Sequence, residues 1–93
     1  MIEERPVLKE DELLEIKHRC EAATPGPWTV YIEGRDHTSG SDFIMTGALG
    51  APDRGEDLEI TGATMADYDF IAHARQDIPK LLDEIERLKK ERT

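Results

Sequence analysis

The sequence has little of several residue types, and each scarcity excludes a class of protein. A single cysteine, Cys20, allows no disulfide within the chain, which fits a reducing cytosol. Twelve basic residues against 21 acidic ones give a net charge of −9, which excludes binding to DNA or RNA through a broad basic face. No apolar run approaches the roughly 18 residues of a transmembrane helix, and the first residues lack the blocks of a secretion signal. We therefore expect a cytoplasmic protein without direct contact to nucleic acid or membrane.

The 93 residues correspond in length to a single domain spanning 1–93. So short a chain has a small core, and we expect it to associate as a homodimer. Residues 1–6 and 91–93 are expected to be frayed, and 34–57 to form a loop-rich middle. Segment 25–64 carries seven acids and two bases, so most of the imbalance lies there.

Apolar periodicity predicts a helix near each end of the chain. Between residues 9 and 23, apolar side chains recur at spacings of three and four, and Pro25 ends the helix. The second helix starts at Thr64, which with Asp67 forms a capping box. Pro79 predicts either a break at residues 76 and 77 or a kink. The stripe of Ile78 and the leucines that follow it is too short for a free-standing coiled coil.

Three short segments between the helices alternate like half-buried strands: 28–33, 43–46 and 58–61. A parallel crossover would need a helix that this region lacks, so we predict an antiparallel meander. The expected fold is α+β: an N-terminal helix, a three-stranded antiparallel sheet and a C-terminal helix.

No catalytic or metal-binding motif is recognisable. The three histidines are dispersed, and none pairs with a second ligand at a zinc-like spacing. Cys20 lies on the apolar face of the first helix, where cysteine behaves as a small hydrophobe. We expect no catalytic residue, metal or cofactor, and hence no enzyme.

Arginines and aromatic residues are the better candidates for binding. The guanidinium group is a planar fork for phosphate, and aromatic faces stack on nucleobases. The turn Pro25-Gly26-Pro27-Trp28 should bring the first helix close to the second. We predict a ligand site there, with Arg19 and Arg75 facing phosphate and Trp28 and Phe70 as packing surfaces.

Two segments resemble small phage and prophage accessory proteins of the ead-like type. The first is residues 15–28, which include Arg19 and the string Ala-Ala-Thr-Pro-Gly-Pro-Trp. The second is 67–88, with Asp-Phe-Ile-Ala-His-Ala-Arg, an Asp-Ile-Pro break and a charged helix. Together they cover a third to a half of the chain.

The resemblance implies a phage origin and a helix–sheet–helix plan, and it does not imply an activity. Small accessory phage proteins often act by binding host molecules, so we expect a counter-defence role inside the host cell. The leading hypothesis is a non-enzymatic protein that sequesters a nucleotide-derived host signal. The alternative is an acidic interaction module or DNA mimic that binds a host protein. Its surface would comprise the carboxylates of the middle segment, namely Asp36, Asp42, Asp53, Glu56 and Asp57.

Overall fold

The computed structural model describes residues 8–92. It contains, in chain order, helix α1 (Glu10–Ala22), strand β1 (Trp28–Tyr31), strand β2 (Phe43–Thr46) and helix α2 (Met65–Glu91). The fold is therefore α+β, as predicted. Residues 1–7 and residue 93, which include most of the positions expected to fray, lie outside the described part of the chain.

Helix α1 follows the predicted periodicity but buries little. Its first turn carries three acids and its last turn Arg19, a distribution that suits the helix dipole. It ends at Ala22, close to the predicted boundary, and Pro25 follows within three residues. None of its residues is buried, and among the described residues the helix packs through one half-covered face against α2.

The two strands pair antiparallel, with Trp28 opposite Thr46 and Tyr31 opposite Phe43. One face of the pair forms the core, where Ile44 and Thr46 are buried. On the other face the rings of Tyr31 and Phe43 stack at 5.2 Å, and the His37 ring meets that of Phe43 edge-on. The alternation therefore predicts correctly that β1 has two different faces.

The expectation of a three-stranded sheet is wrong, because the third segment pairs at one residue only. Leu58 exchanges two backbone hydrogen bonds with Ile44, of 2.8 and 2.9 Å. Two residues later, the N–H of Ile60 donates to the Tyr68 hydroxyl at 2.9 Å, and that hydroxyl contacts the Ile60 carbonyl at 3.3 Å. A side chain of α2 thus takes the backbone groups that a longer strand would have paired.

Helix α2 begins with the predicted capping box. The Thr64 hydroxyl accepts from the N–H of Asp67 at 3.0 Å, and the Asp67 carboxylate accepts from the N–H of Thr64 at 3.0 Å. The helix then runs without interruption through Pro79 to Glu91. The alternative of a broken helix is therefore wrong. Pro79 removes one helical hydrogen bond, the one to the carbonyl of Arg75.

The buried core lies between the sheet and the first half of α2. It consists of Ile32, Ile44, Tyr68 and Ala72, with Trp28 and several aliphatic residues packed around it. The molecule measures 53 × 37 × 19 Å, with a radius of gyration of 16.9 Å. A compact chain of this length would have about 12 Å. Within residues 8–92, the second half of α2 extends beyond the sheet and has α1 as its neighbouring element, which agrees with this elongated shape.

Candidate ligand-binding site

The turn between α1 and β1 is held by one carbonyl that two side chains share. The backbone oxygen of Thr24 accepts from the indole Nε1 of Trp28 at 3.1 Å and from Nε of Arg75 at 2.9 Å. These bonds fix an aromatic ring and a guanidinium group beside each other. The turn, which contains a cis Gly26–Pro27 peptide bond, is therefore the point where residues distant in the sequence meet, as predicted.

Gln76 attaches the same turn to α2, a role that sequence analysis missed. Its side-chain Oε1 accepts from the Trp28 N–H at 2.8 Å, and its Nε2 donates to the Trp28 carbonyl at 3.2 Å. The amide thus pairs with Trp28 as a neighbouring strand would. Gly26 lies against this amide, and a Cβ there would come within 3.3 Å of Oε1. Gln76 follows Arg75 directly, but nothing in its spacing marks it as a partner of Trp28.

A cavity of about 250 Å³ opens beside this turn, and we call it the corner pocket. Three of the four predicted site residues line it: Arg19 from α1, Trp28 from β1 and Arg75 from α2. Trp28 and Arg75 are half-buried and Arg19 is exposed. The remaining wall is apolar apart from the Cys20 thiol and consists of Ile16, Cys20, Ala23, Ile71, Ala74 and Ile78.

The corner pocket has the opposite charge to the chain as a whole. Its lining includes two guanidinium groups and no carboxylate. Four other cavities on the described residues each include at least one carboxylate in their lining. Within residues 8–92, the Arg19 side chain makes no hydrogen bond or ion pair, and Arg75 uses only Nε, toward Thr24. Several N–H donors therefore remain available to an anion.

Phe70, the fourth predicted site residue, does not line the pocket of its own chain. Its side chain is 74% exposed and borders a shallow depression beside the loop at residues 60–63. The reason is helical geometry: five residues separate Phe70 from Arg75, which places them about 140° apart around α2. The structure therefore does not bring Phe70 and Arg75 together at the corner pocket.

The carboxylates of the middle segment serve mainly to order loops. Asp36 accepts from the Ile32 N–H at 2.8 Å, and Asp42 accepts from the Glu33 N–H at 2.7 Å. Asp57 pairs with Arg54 at 2.7 Å. Three of the five acids proposed as a phosphate-mimicking surface therefore have partners within the chain, which weakens their availability to a host protein.

Arg35 joins the middle segment to α2. Its guanidinium bonds Asp69 at 2.9 and 3.0 Å and Asp36 at 2.8 and 3.0 Å. The hydrogen bonds to these carboxylates raise the pKa of Arg35. The hydrogen bond from Arg35 is the main cause that lowers the pKa of Asp69 and of Asp36. Arg35 is thus a structural cross-link between the middle segment and α2.

Among residues 8–92, the structure shows neither a cluster of metal-binding side chains nor a helix that could span a membrane. Between residues 8 and 92, no three His, Cys, Asp or Glu side chains are grouped so as to hold a metal ion. Over the same range, no helix combines the length and apolar character needed to cross a bilayer.

Comparison with known proteins found no matching family model, curated protein or solved structure.

Proposed function

We propose that the protein is a small binding protein, not an enzyme, that holds a phosphorylated nucleotide in the corner pocket. The observation that carries this proposal is the charge of the pocket. In a chain of net charge −9, two arginines and one tryptophan line a cavity that has no carboxylate. Such a lining favours a ligand that is anionic at one end and flat and apolar at the other.

Each part of a nucleotide has a suitable counterpart in the pocket. The terminal nitrogens of Arg75 and the whole guanidinium of Arg19 offer charge-assisted hydrogen bonds to phosphate oxygens. The half-buried ring of Trp28 and the side chain of Ile71 offer an apolar surface to a base. Because Thr24 fixes both Trp28 and Arg75, the site is preorganised, which lowers the cost of binding.

Sequestration agrees with the chemistry of the lining better than turnover does. The pocket residues are aliphatic, aromatic or guanidinium, and Cys20 is the one nucleophile among them. Arginine does not give up its proton in proteins, so it cannot act as a general base. A pocket of this composition holds an anion without transforming it. The resemblance to phage accessory proteins supports a counter-defence role in the host cytoplasm, with a nucleotide-derived immune signal as the ligand.

The experiment is a thermal-shift and calorimetric screen against AMP, ADP, ADP-ribose, cyclic ADP-ribose, cyclic AMP and cyclic di-AMP. At a concentration about 100 times Kd, a ligand that binds only the folded state stabilises it by about 2.7 kcal/mol. For a domain of this size, that raises Tm by well over 5 °C. If no compound shifts Tm, the proposal is wrong, and the search moves to a host protein.

Arg19→Ala is the cleanest variant for this screen, because the Arg19 side chain has no partner within residues 8–92. Loss of a charge-assisted hydrogen bond should weaken nucleotide binding about ten- to a hundredfold. Arg92→Ala, which removes an equal charge from an exposed residue at the end of α2, is the matched control and should bind normally. Equal weakening in both variants would indicate a general charge effect and contradict the proposed site.

A further inference from the structure

The corner pocket is poor in side chains that could distinguish one nucleobase from another. Proteins read the edge of a base with amide, hydroxyl or carboxylate groups, as asparagine reads adenine. Among residues 8–92, no side chain of these kinds lines the pocket. Apart from its two arginines, the lining is aliphatic except for Trp28 and the Cys20 thiol, which is a weak donor. A base held there gains apolar contact and little hydrogen bonding.

The one polar atom of the Trp28 ring is already in use. An indole has a single N–H group and no acceptor, and Nε1 of Trp28 donates to the Thr24 carbonyl at 3.1 Å. The ring therefore presents carbon atoms to a ligand. Stacking on such a surface tolerates every base, because each base has a π face.

The amide of Gln76, which lies against the same turn, is engaged at both ends. Its Oε1 accepts from the Trp28 N–H at 2.8 Å, and its Nε2 donates to the carbonyls of Trp28 and Ala72, each at 3.2 Å. These bonds use both amide hydrogens. To read a base, Gln76 would have to release the turn that positions Trp28.

The two arginines are the exception, since a guanidinium group can pair with O6 and N7 of guanine. A phosphate carries a full negative charge and a guanine carbonyl does not, so Coulomb attraction directs the guanidinium groups to phosphate. Arg19 is exposed and has no partner within residues 8–92, and Arg75 uses only Nε, toward Thr24. Once phosphate occupies both arginines, the base is left to the apolar wall.

We propose that the corner pocket selects its ligand by the charge of the phosphate and the flatness of the attached group, whichever base that group is. The ligand class is then nucleotides with at least two negative charges, such as nucleoside monophosphates and diphosphates, with all four bases accepted. A cyclic mononucleotide binds more weakly, because its single charge neutralises one of the two arginines. This inference rests on the proposed function, since it concerns the same pocket.

The first experiment compares AMP, GMP, CMP and UMP by isothermal titration calorimetry at pH 7.5 and one ionic strength. The dissociation constants of AMP and GMP should agree within about tenfold, and so should those of CMP and UMP, because stacking tolerates every base. A site that hydrogen-bonded the base would separate such pairs by about 10⁴-fold. A difference above about tenfold within either pair overturns the inference but leaves the nucleotide site in place. If none of the four binds, the proposed function itself is wrong.

The second experiment keeps the base and varies the charge, with AMP and 3′,5′-cyclic AMP as ligands. At pH 7.5, AMP should bind about ten- to a hundredfold more tightly, since it offers an additional charge to a second arginine. The second pKa of a phosphate monoester is about 6, so AMP should lose most of this advantage at pH 5.5. Equal affinities at pH 7.5 would overturn the selection by charge.

The pH comparison reports on the ligand, because the lining of the pocket contains no histidine and no carboxylate within residues 8–92. Its charged groups are Arg19 from α1 and Arg75 from α2, and arginine keeps its proton in proteins. Circular dichroism at both pH values confirms that the protein remains folded. If cyclic AMP loses affinity at pH 5.5 as strongly as AMP does, the change lies in the protein and the inference is wrong.

The third experiment asks which property Arg19 reads. In Arg19→Ala, the preference for AMP over cyclic AMP should shrink about tenfold, while the spread among the four bases should stay as in the wild type. Arg92→Ala, at an exposed position at the end of α2, is the control and should retain both. If Arg19→Ala instead weakens GMP more than the other three nucleotides, the arginine reads the base and the inference fails.

Discussion

The two halves of α2 have different surroundings. Residues 65–76 lie against the sheet, and this half contains both of the buried residues of the helix, Tyr68 and Ala72. Among the described residues, 8–92, α1 is the one element that packs beside residues 77–91, and none of these residues is buried. The first half of α2 is thus part of a closed core, whereas the second half belongs to a helix layer that the described residues do not cover on its other side. The second half of the helix therefore contributes less buried surface to the stability of the fold than the first half does.

The largest expected effect is the difference in unfolding free energy between truncating a buried residue and truncating an exposed one. Ile44→Ala should lower the free energy of unfolding by about 2–4 kcal/mol, because Ile44 is fully buried and its loss leaves a cavity. Leu81→Ala, at 61% exposure, should cost well under half as much within one chain. Urea denaturation checks this at a protein concentration low enough to keep the chain monomeric. Equal losses would show that the two halves are packed alike.

A smaller effect is expected at the junction of the two halves, where Gln76 bonds both backbone groups of Trp28. Gln76→Leu leaves that N–H and carbonyl without partners and should cost about 1–3 kcal/mol. Gln76→Glu keeps the acceptor for the N–H but loses the donor, so it should cost less than Gln76→Leu at neutral pH. Chemical denaturation followed by circular dichroism gives both values. If the leucine variant is no less stable than the wild type, the attachment of the turn does not depend on Gln76.

The smallest effect concerns the Arg35 cross-link on the sheet-facing half. The pKa of Asp36 and of Asp69 is lowered in the folded state from an ordinary value of 3.8. The stabilisation is therefore present above about pH 4 and is lost as the pH falls through the lowered values. Both carboxylates are solvent-exposed, so the effect should be modest.

Asp69→Asn tests the cross-link, with Glu59→Gln, an exposed carboxylate outside the Arg35 network, as the control. Between pH 5 and pH 3, a range set by the ordinary carboxylate pKa, the Tm of the asparagine variant should fall by less than the Tm of the wild type. The control should follow the wild type. The same acid sensitivity in Asp69→Asn and wild type would mean that other carboxylates dominate.

The sequence predicted the helices well because their signals are local. The Thr64 and Asp67 capping box and the apolar spacing of α2 depend only on neighbours in the chain, and both are present in the structure. The absence of a third strand could not be predicted in this way, since strand alternation does not show that the Tyr68 hydroxyl, eight residues along in the next helix, takes the backbone N–H of Ile60. Local alternation describes a segment that can be a strand, whereas tertiary contacts decide whether it becomes one.

The site was predicted in part, for similar reasons. Arg19, Trp28 and Arg75 meet because the Pro25–Pro27 turn places α1 and β1 against α2. Gln76 was missed because a glutamine beside an arginine gives no sign that its partner is a backbone 48 residues away. Phe70 does not join them, and the sequence already contained the reason, because residues five positions apart in a helix point in directions about 140° apart.

Trp28 is the single tryptophan of the chain, and its indole is hydrogen-bonded at the wall of the corner pocket. Its fluorescence therefore reports on this one location and on no other part of the molecule. A ligand near the ring or a change at the Thr24 carbonyl would change the emission without any attached dye. The protein carries its own optical probe at the place where its function is proposed to reside.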